Sequence, residues 1–182
     1  VSTGTEVSEI VDTTAVPSKV TVGTSGGTLQ VSIDPSTPTA KQFAGGALGV
    51  TLATFNFLAT TTENVEIDYL YLTQRVTVTG SAAYQDYTRL FLVDETGATV
   101  GSTVPTSTKP YIDLNAGAFV VKTNDSDGAL LYLKADLSAI GSGQNVEVGG
   151  HNIGFNIAAA ADVTGKGALT GTGSVEYLGA SA

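Results

Sequence analysis

The chain contains no cysteine, no methionine and no tryptophan among its 182 residues, and only one histidine. Without thiols there is no disulfide, no thiolate nucleophile and no cysteine-ligated metal. With His151 as the sole imidazole, multi-histidine metal sites and histidine relays within one chain are excluded as well. Basic residues are scarce: eight Lys and Arg stand against 17 Asp and Glu, a formal charge of −9. Such a surface repels nucleic acid and anionic membranes, so neither is an expected partner. Charged residues make up only 14% of the chain and hydrophobic ones 42%, which is too apolar for an acidic disordered tail. Long apolar runs are missing too. The run Ile157–Ala161 is five residues of mostly alanine, far short of the roughly 18–20 that a spanning helix needs. A chain that lacks methionine and opens at Val1 on polar residues reads as a mature form whose leader peptide has been removed. That predicts an extracellular or cell-surface location.

What the chain does have is short alternating apolar runs separated by Gly, Ser, Thr, Asn and Asp. This period of two predicts half-buried strands. Leu29, Val31 and Ile33 alternate, as do Val65, Ile67, Tyr69 and Tyr71, then Val76 and Val78. Leu48, Val50 and Leu52 share one parity and Phe55 and Phe57 the other, so a β-bulge is predicted near Ala53–Thr54. Arg89–Val93 is apolar on both faces, as a central strand would be, and Asp94–Gly97 is a hairpin signal returning through Ala98 and Val100. Ile112 and Leu114, Phe119–Val121, Leu130–Leu133, Val146 and Val148, Ile153 to Ile157, and Val175 with Tyr177 complete the set. Only Leu133–Ile140 has the composition of a short turn or helix. The expected fold is all-β, an antiparallel β-sandwich or jelly roll of about ten strands over residues 26–182. It is preceded by an N-terminal extended arm, residues 1–25, ending in the flexible joint Gly23–Gly27.

Candidate chemistry is sparse. His151 sits in a Gly-Gly-His-Asn stretch with no second histidine and no Gly-x-Ser-x-Gly elbow in the chain, so it reads as a turn or surface residue and no enzyme is expected. Asp125 and Asp127, in Asp-Ser-Asp-Gly, offer the closely spaced hard oxygens that calcium takes. The Glu that an EF-hand loop needs is absent, and Asp-Gly is equally ordinary turn chemistry. Tyr69, Tyr71, Tyr84 and Tyr87 cluster in sequence, either as strand packing or as a sugar-stacking face.

Several short segments also carry a resemblance. Gly27–Asp34, Leu52–Phe57, Glu63–Ile67, Leu90–Asp94, Leu131–Leu137 and Ile153–Ile157 follow the order of segments in the repeated β-sandwich domains of large secreted surface proteins of candidate-phyla (Patescibacteria-type) bacteria. The likeness covers roughly residues 27–165 and rests on strand order and short words. It implies an Ig-like or jelly-roll sandwich with a structural role at the cell surface. The chain differs from that family in holding a single such unit, so an extended structure would require non-covalent assembly.

A strand-forming arm on an all-β domain supplies one route. An extended segment can pair with a neighbour's open sheet edge, and a head-to-tail contact of that kind propagates as a filament or lattice. The arm residues expected at such an interface are Val7, Ile10, Val11, Val16, Val20 and Val22. The predicted role is therefore an extracellular structural subunit, a homopolymer forming a filament, pilus-like fibre or surface layer by strand complementation. The alternative is an adhesin or carbohydrate-binding module of a cell-surface or virion protein, with glycans as partners and a tyrosine face or calcium loop as its site.

Overall fold

The alternation in the sequence becomes strand along most of the chain. The computed structural model describes residues 7–10, 19–22, 27–38, 43–60, 63–74, 83–123, 125–147, 149–171, 173–177 and 180–181. In chain order the strands begin with β1 (Val7–Ile10), β2 (Lys19–Val22), β3 (Gly27–Ile33), β4 (Val50–Ala59) and β5 (Val65–Tyr71). They continue with β6 (Thr73–Gln74), β7 (Tyr87–Asp94), β8 (Thr99–Thr103), β9 (Tyr111–Asp113) and β10 (Val120–Val121). The last are β11 (Ala129–Leu137), β12 (Phe155–Ile157), β13 (Val163–Gly167), β14 (Gly173–Tyr177) and β15 (Ala180–Ser181).

The fold is an all-β sandwich. One layer is a six-stranded sheet in the order β14-β3-β4-β11-β7-β8. Its neighbours are antiparallel except β14 and β3, which run parallel. The other layer centres on β5, with β13 on one side and β9 and β10 on the other. β6 follows β5 after Leu72 and pairs with β12, which β15 flanks. Alternate residues of both layers meet in one core. Val31, Phe55, Phe57, Leu90 and Leu131 come from the six-stranded sheet; Ile67, Leu70, Ile112, Val121 and Phe155 come from its partner. Phe57 and Phe119 close edge-to-face at 5.4 Å between ring centres.

The parity switch in β4 is a bulge, one residue earlier than expected. Leu133 faces Ala53 but Lys134 faces Thr51, leaving Leu52 as the extra residue. Leu52, Ala53, Thr54 and Phe55 are consequently buried in succession. The turn or helix expected from Leu133 onward is not there: Leu133–Leu137 is the second half of β11, in the middle of the sheet. Leu131, Leu133, Ala135 and Leu137 point inward, and ladders to β4 and β7 satisfy the backbone on both sides. Tertiary pairing overrides the helical leaning of Lys, Ala and Leu.

At the far end of the six-stranded sheet, β8 crosses onto the second layer. Gly101 bridges Leu114, and the Asn115 amide donates to the Val100 carbonyl at 3.2 Å. A Cβ on Gly101 would stand 2.6 Å from the Asp113 carbonyl oxygen, so this close approach requires glycine. At the opposite end, β14 takes the place beside β3. The body fills that place with its own carboxyl-terminal segment.

The amino-terminal strands join the ladders of neither layer among the described residues. β1 and β2 form a two-stranded antiparallel sheet, Val7 opposite Val22 and Ile10 opposite Lys19, and neither pairs with any other described strand. The arm expected from the sequence is therefore an antiparallel hairpin at residues 7–10 and 19–22. Val7, Ile10, Val20 and Val22 lie in it; Val11 and Val16 fall outside the described residues, as do Val76, Val78 and Val148.

Candidate functional site

The polar chemistry of the body gathers at two corners built alike. Each is a 3-10 turn whose final Asp reaches back to the residue three before it. In the first, the Asp86 amide donates to the Ala83 carbonyl at 3.0 Å, and the Ala83 amide donates to Asp86 Oδ2 at 2.5 Å. In the second, the Asp162 amide donates to the Ala159 carbonyl at 3.0 Å, and the Ala159 amide donates to Asp162 Oδ2 at 3.1 Å. Both aspartates are buried, and each turn runs straight into a strand through a β-former, Tyr87 or Val163. The free Oδ1 of each carries a basic partner: His151 Nδ1 at 2.8 Å from Asp86, and Lys109 Nζ at 2.5 Å from Asp162.

The Asp86 corner borders a cavity of about 360 Å³. Its walls include the apolar side chains of Phe43, Leu137, Ile140 and Ile153, the backbone of Gly45, Gly149 and Gly150, and the polar residues Asp86, Ser138, His151 and Asn152. The corner is tied down by backbone. The Ser138 amide donates to the Asp86 carbonyl at 2.9 Å, and the Gly46 amide donates to the Ser138 carbonyl at 2.9 Å. Ser, His and Asp line one cavity, yet they do not form a nucleophilic triad. The Ser138 hydroxyl donates to the Gln85 carbonyl at 2.5 Å, leaving no Ser–His hydrogen bond to activate it. His151, expected as a turn or surface residue, is half-buried and held by Asp86 from 65 positions earlier in the chain. Beside it, burial and the Asp86 charge push the Tyr87 phenol well above its usual range, and the Tyr87 ring packs on Phe155 at 5.1 Å.

The Asp162 corner opens on the outer face of the second layer. Lys109 also lies over the Tyr71 ring, 5.5 Å from its centre. Tyr69, Tyr71 and Tyr111 pack on one another with centres 5.2–5.8 Å apart, at steep mutual tilts of 48–85°. Asp68 is an extra residue in β5, since Tyr69 faces Thr164 and Ile67 faces Gly165, and its carboxylate accepts from Lys166 Nζ at 2.7 Å. That hydrogen bond holds the Lys166 ammonium above its ordinary range. Of the four tyrosines close in sequence, Tyr69 and Tyr71 share this face with Tyr111, Tyr87 is in the core, and Tyr84 belongs to the first turn.

Asp125 and Asp127 sit in a turn whose oxygens the chain itself uses. The Asp127 amide donates to Asp125 Oδ1 at 3.2 Å, and Asn56 Nδ2 donates to the Asp127 carbonyl at 2.7 Å. Among the described residues no group of three or more His, Asp or Glu side chains is placed to hold a metal.

The Ala-x-x-Asp word before a strand occurs at both corners and is the local signal that sequence reasoning missed. The pairing of Asp86 with His151 has no such signal, because only the fold brings β7 and the residue-151 segment together. No protein-family model, curated protein or solved structure matches the chain.

Proposed function

We propose that the chain is a structural building block of an extracellular assembly, a filament, pilus-like fibre or surface layer, in which the amino-terminal hairpin of one copy adds to the sheet edge of the next. The observation that carries this reading is the isolation of β1 and β2 as a sheet of two strands. A lone two-stranded hairpin is marginal in water and gains stability by joining a larger sheet. Its outer edges pair with no described strand, and edge N–H and C=O groups template pairing with another chain. The acceptor is the edge of β14 away from β3, which runs near β13 but forms no backbone ladder with a described strand. The body lacks no strand beside β3, so the hairpin extends the neighbour's sheet rather than filling a gap in it. Hairpin and acceptor edge are different surfaces, so the contact is head-to-tail and propagates.

The acidic surface suits this role. With a formal charge of −9, copies repel one another until a specific contact forms, and divalent cations in the medium weaken that repulsion. Negative-stain imaging and light scattering of the full chain and of a chain beginning at Gly23 test the reading. The full chain is expected to form higher-order particles and the truncated chain to stay monomeric. Equal assembly by both, or none by the full chain at high concentration with calcium present, overturns it.

A further inference from the structure

We infer that the cavity at the Asp86 corner binds a single neutral hydroxylated ring, the chemical class of one hexose unit of a glycan. This goes beyond the assembly reading and uses no part of the hairpin.

The size of the cavity sets the first limit. At about 360 Å³ it holds roughly a dozen waters at about 30 Å³ each. That is room for one small ring and lies at the lower end of ligand pockets. The chemistry of its polar corner sets the second. Asp86 is buried, its side chain only 9% exposed, and an ionised carboxylate only accepts hydrogen bonds. His151 Nδ1 therefore donates to Asp86 Oδ1, which fixes the ring and turns Nε2 away from the carboxylate. Among the described residues Nε2 has no hydrogen-bond partner. The Ser138 hydroxyl has spent its proton on the Gln85 carbonyl, so its oxygen too can only accept. The corner thus suits hydroxyl groups, which donate to the Ser138 oxygen and exchange a hydrogen bond with Nε2 in either direction.

Charge decides between the donors. Anionic ligands are repelled by Asp86 and by the chain's formal charge of −9. An ammonium would lose its water against Phe43, Leu137, Ile140 and Ile153. Both carboxylate oxygens that might compensate it are already engaged by His151 and the Ala83 amide. Hydroxyl groups meet the demand without that penalty. A pyranose ring places hydroxyls on its rim and C–H groups on its faces, matching one acceptor corner and four apolar walls. Ile140, 46% exposed at the cavity, is a large aliphatic side chain left in water until such a face covers it. Asn152, on the same wall, offers both an amide donor and an acceptor.

The only histidine in the chain makes a single-site reporter in the intact protein. The ring nitrogen and carbon-bound proton signals of His151 are followed by NMR during titration with methyl glucosides, mannosides and galactosides. Putrescine and acetate serve as cationic and anionic controls. At least one hexoside is expected to move the His151 signals saturably at millimolar concentration, with neither control doing so. The His151→Gln variant, read through the Ile140 and Ile153 methyl signals, is expected to bind about tenfold more weakly, the loss of one good hydrogen bond. Gly149→Leu gives a second variant that leaves the Asp86–His151 pair intact. A Cβ there meets only Ile140 at an ordinary 3.8 Å, so the added side chain enters the cavity and is expected to abolish the shift. The inference is overturned if no hexoside moves His151, if putrescine or acetate does so instead, or if hexosides move only the Tyr69, Tyr71 and Tyr111 signals.

Discussion

The sandwich body and the amino-terminal hairpin are made from the same kinds of residue, yet they stand at opposite ends of self-sufficiency. In the body, ten-residue β4 has ladders on both sides and a core face of Phe55, Phe57 and Ala59. In the hairpin, four-residue β1 has one ladder, to four-residue β2, and no third strand among the described residues. Apolar alternation alone does not separate the two. What separates them is whether a strand finds a second neighbour and a sheet to pack against. The body seals one end of its larger sheet with the Gly101–Leu114 crossing at β8 and ends the other on its own β14, beside β3.

Damage to the body is expected to be costly, and damage to the hairpin invisible to the body. The largest effect is expected from Phe57→Ala. Its ring is fully buried against Phe119, and the loss is expected to be about 3–5 kcal/mol by urea denaturation. Gly101→Val comes next. Its Cβ would press on the Asp113 carbonyl and the Ile112 side chain, opening the seal between layers at a cost of about 1–3 kcal/mol.

Acid is expected to loosen the body through Glu63. Its carboxylate accepts from the Thr170 hydroxyl at 2.7 Å and from the Leu169 and Thr170 amides at 2.9 and 3.0 Å. The Thr170 hydroxyl bond leads in holding that carboxyl below the ordinary carboxylate range. A depressed folded-state value means that the stabilisation is present above the unfolded value, about 4.3. It is lost as pH falls through the folded value. Thermal melts from pH 7 to pH 3 are expected to fall less steeply for Glu63→Gln than for the native chain. Asp34 and Asp94, lowered chiefly by Ser36 and Thr96, supply the slope that remains. The smallest effect on the body is expected from Val20→Pro. Proline removes the amide of Val20, opposite Glu9 in the hairpin ladder. The body's unfolding free energy is expected to stay within about 0.5 kcal/mol of the native chain's by urea denaturation, while light scattering shows assembly lost. Parallel loss of both would make the hairpin part of the body.

Much of the body was legible because period-two alternation survives wherever one strand face is buried. The runs Leu29–Ile33, Val65–Tyr71 and Phe155–Ile157, the Asp94–Gly97 turn and the bulge in β4 all follow from it. The strand at Leu133–Leu137 was not legible, because its partners at Phe91 and Ala53 come from distant segments. The same holds for the cavity. Nothing in the sequence marks Asp86, and His151 reads as a turn or surface residue, yet the fold sets them 2.8 Å apart. The arm was visible as a composition shift, but its hairpin register, Glu9 opposite Val20, was not, since its valines are irregularly spaced.

Because the native chain has no cysteine, an introduced pair reports one contact cleanly. Two populations are prepared, one carrying Thr21→Cys in β2 and one carrying Ser174→Cys in β14, and mixed under mild oxidation. Neither population alone can join hairpin to edge, so a mixed disulfide must link two copies. Head-to-tail pairing predicts that the mixed dimer, identified by mass, dominates over both like-with-like products and rises with protein concentration. Like-with-like products only, or no cross-link at concentrations where the native chain forms particles, contradicts it.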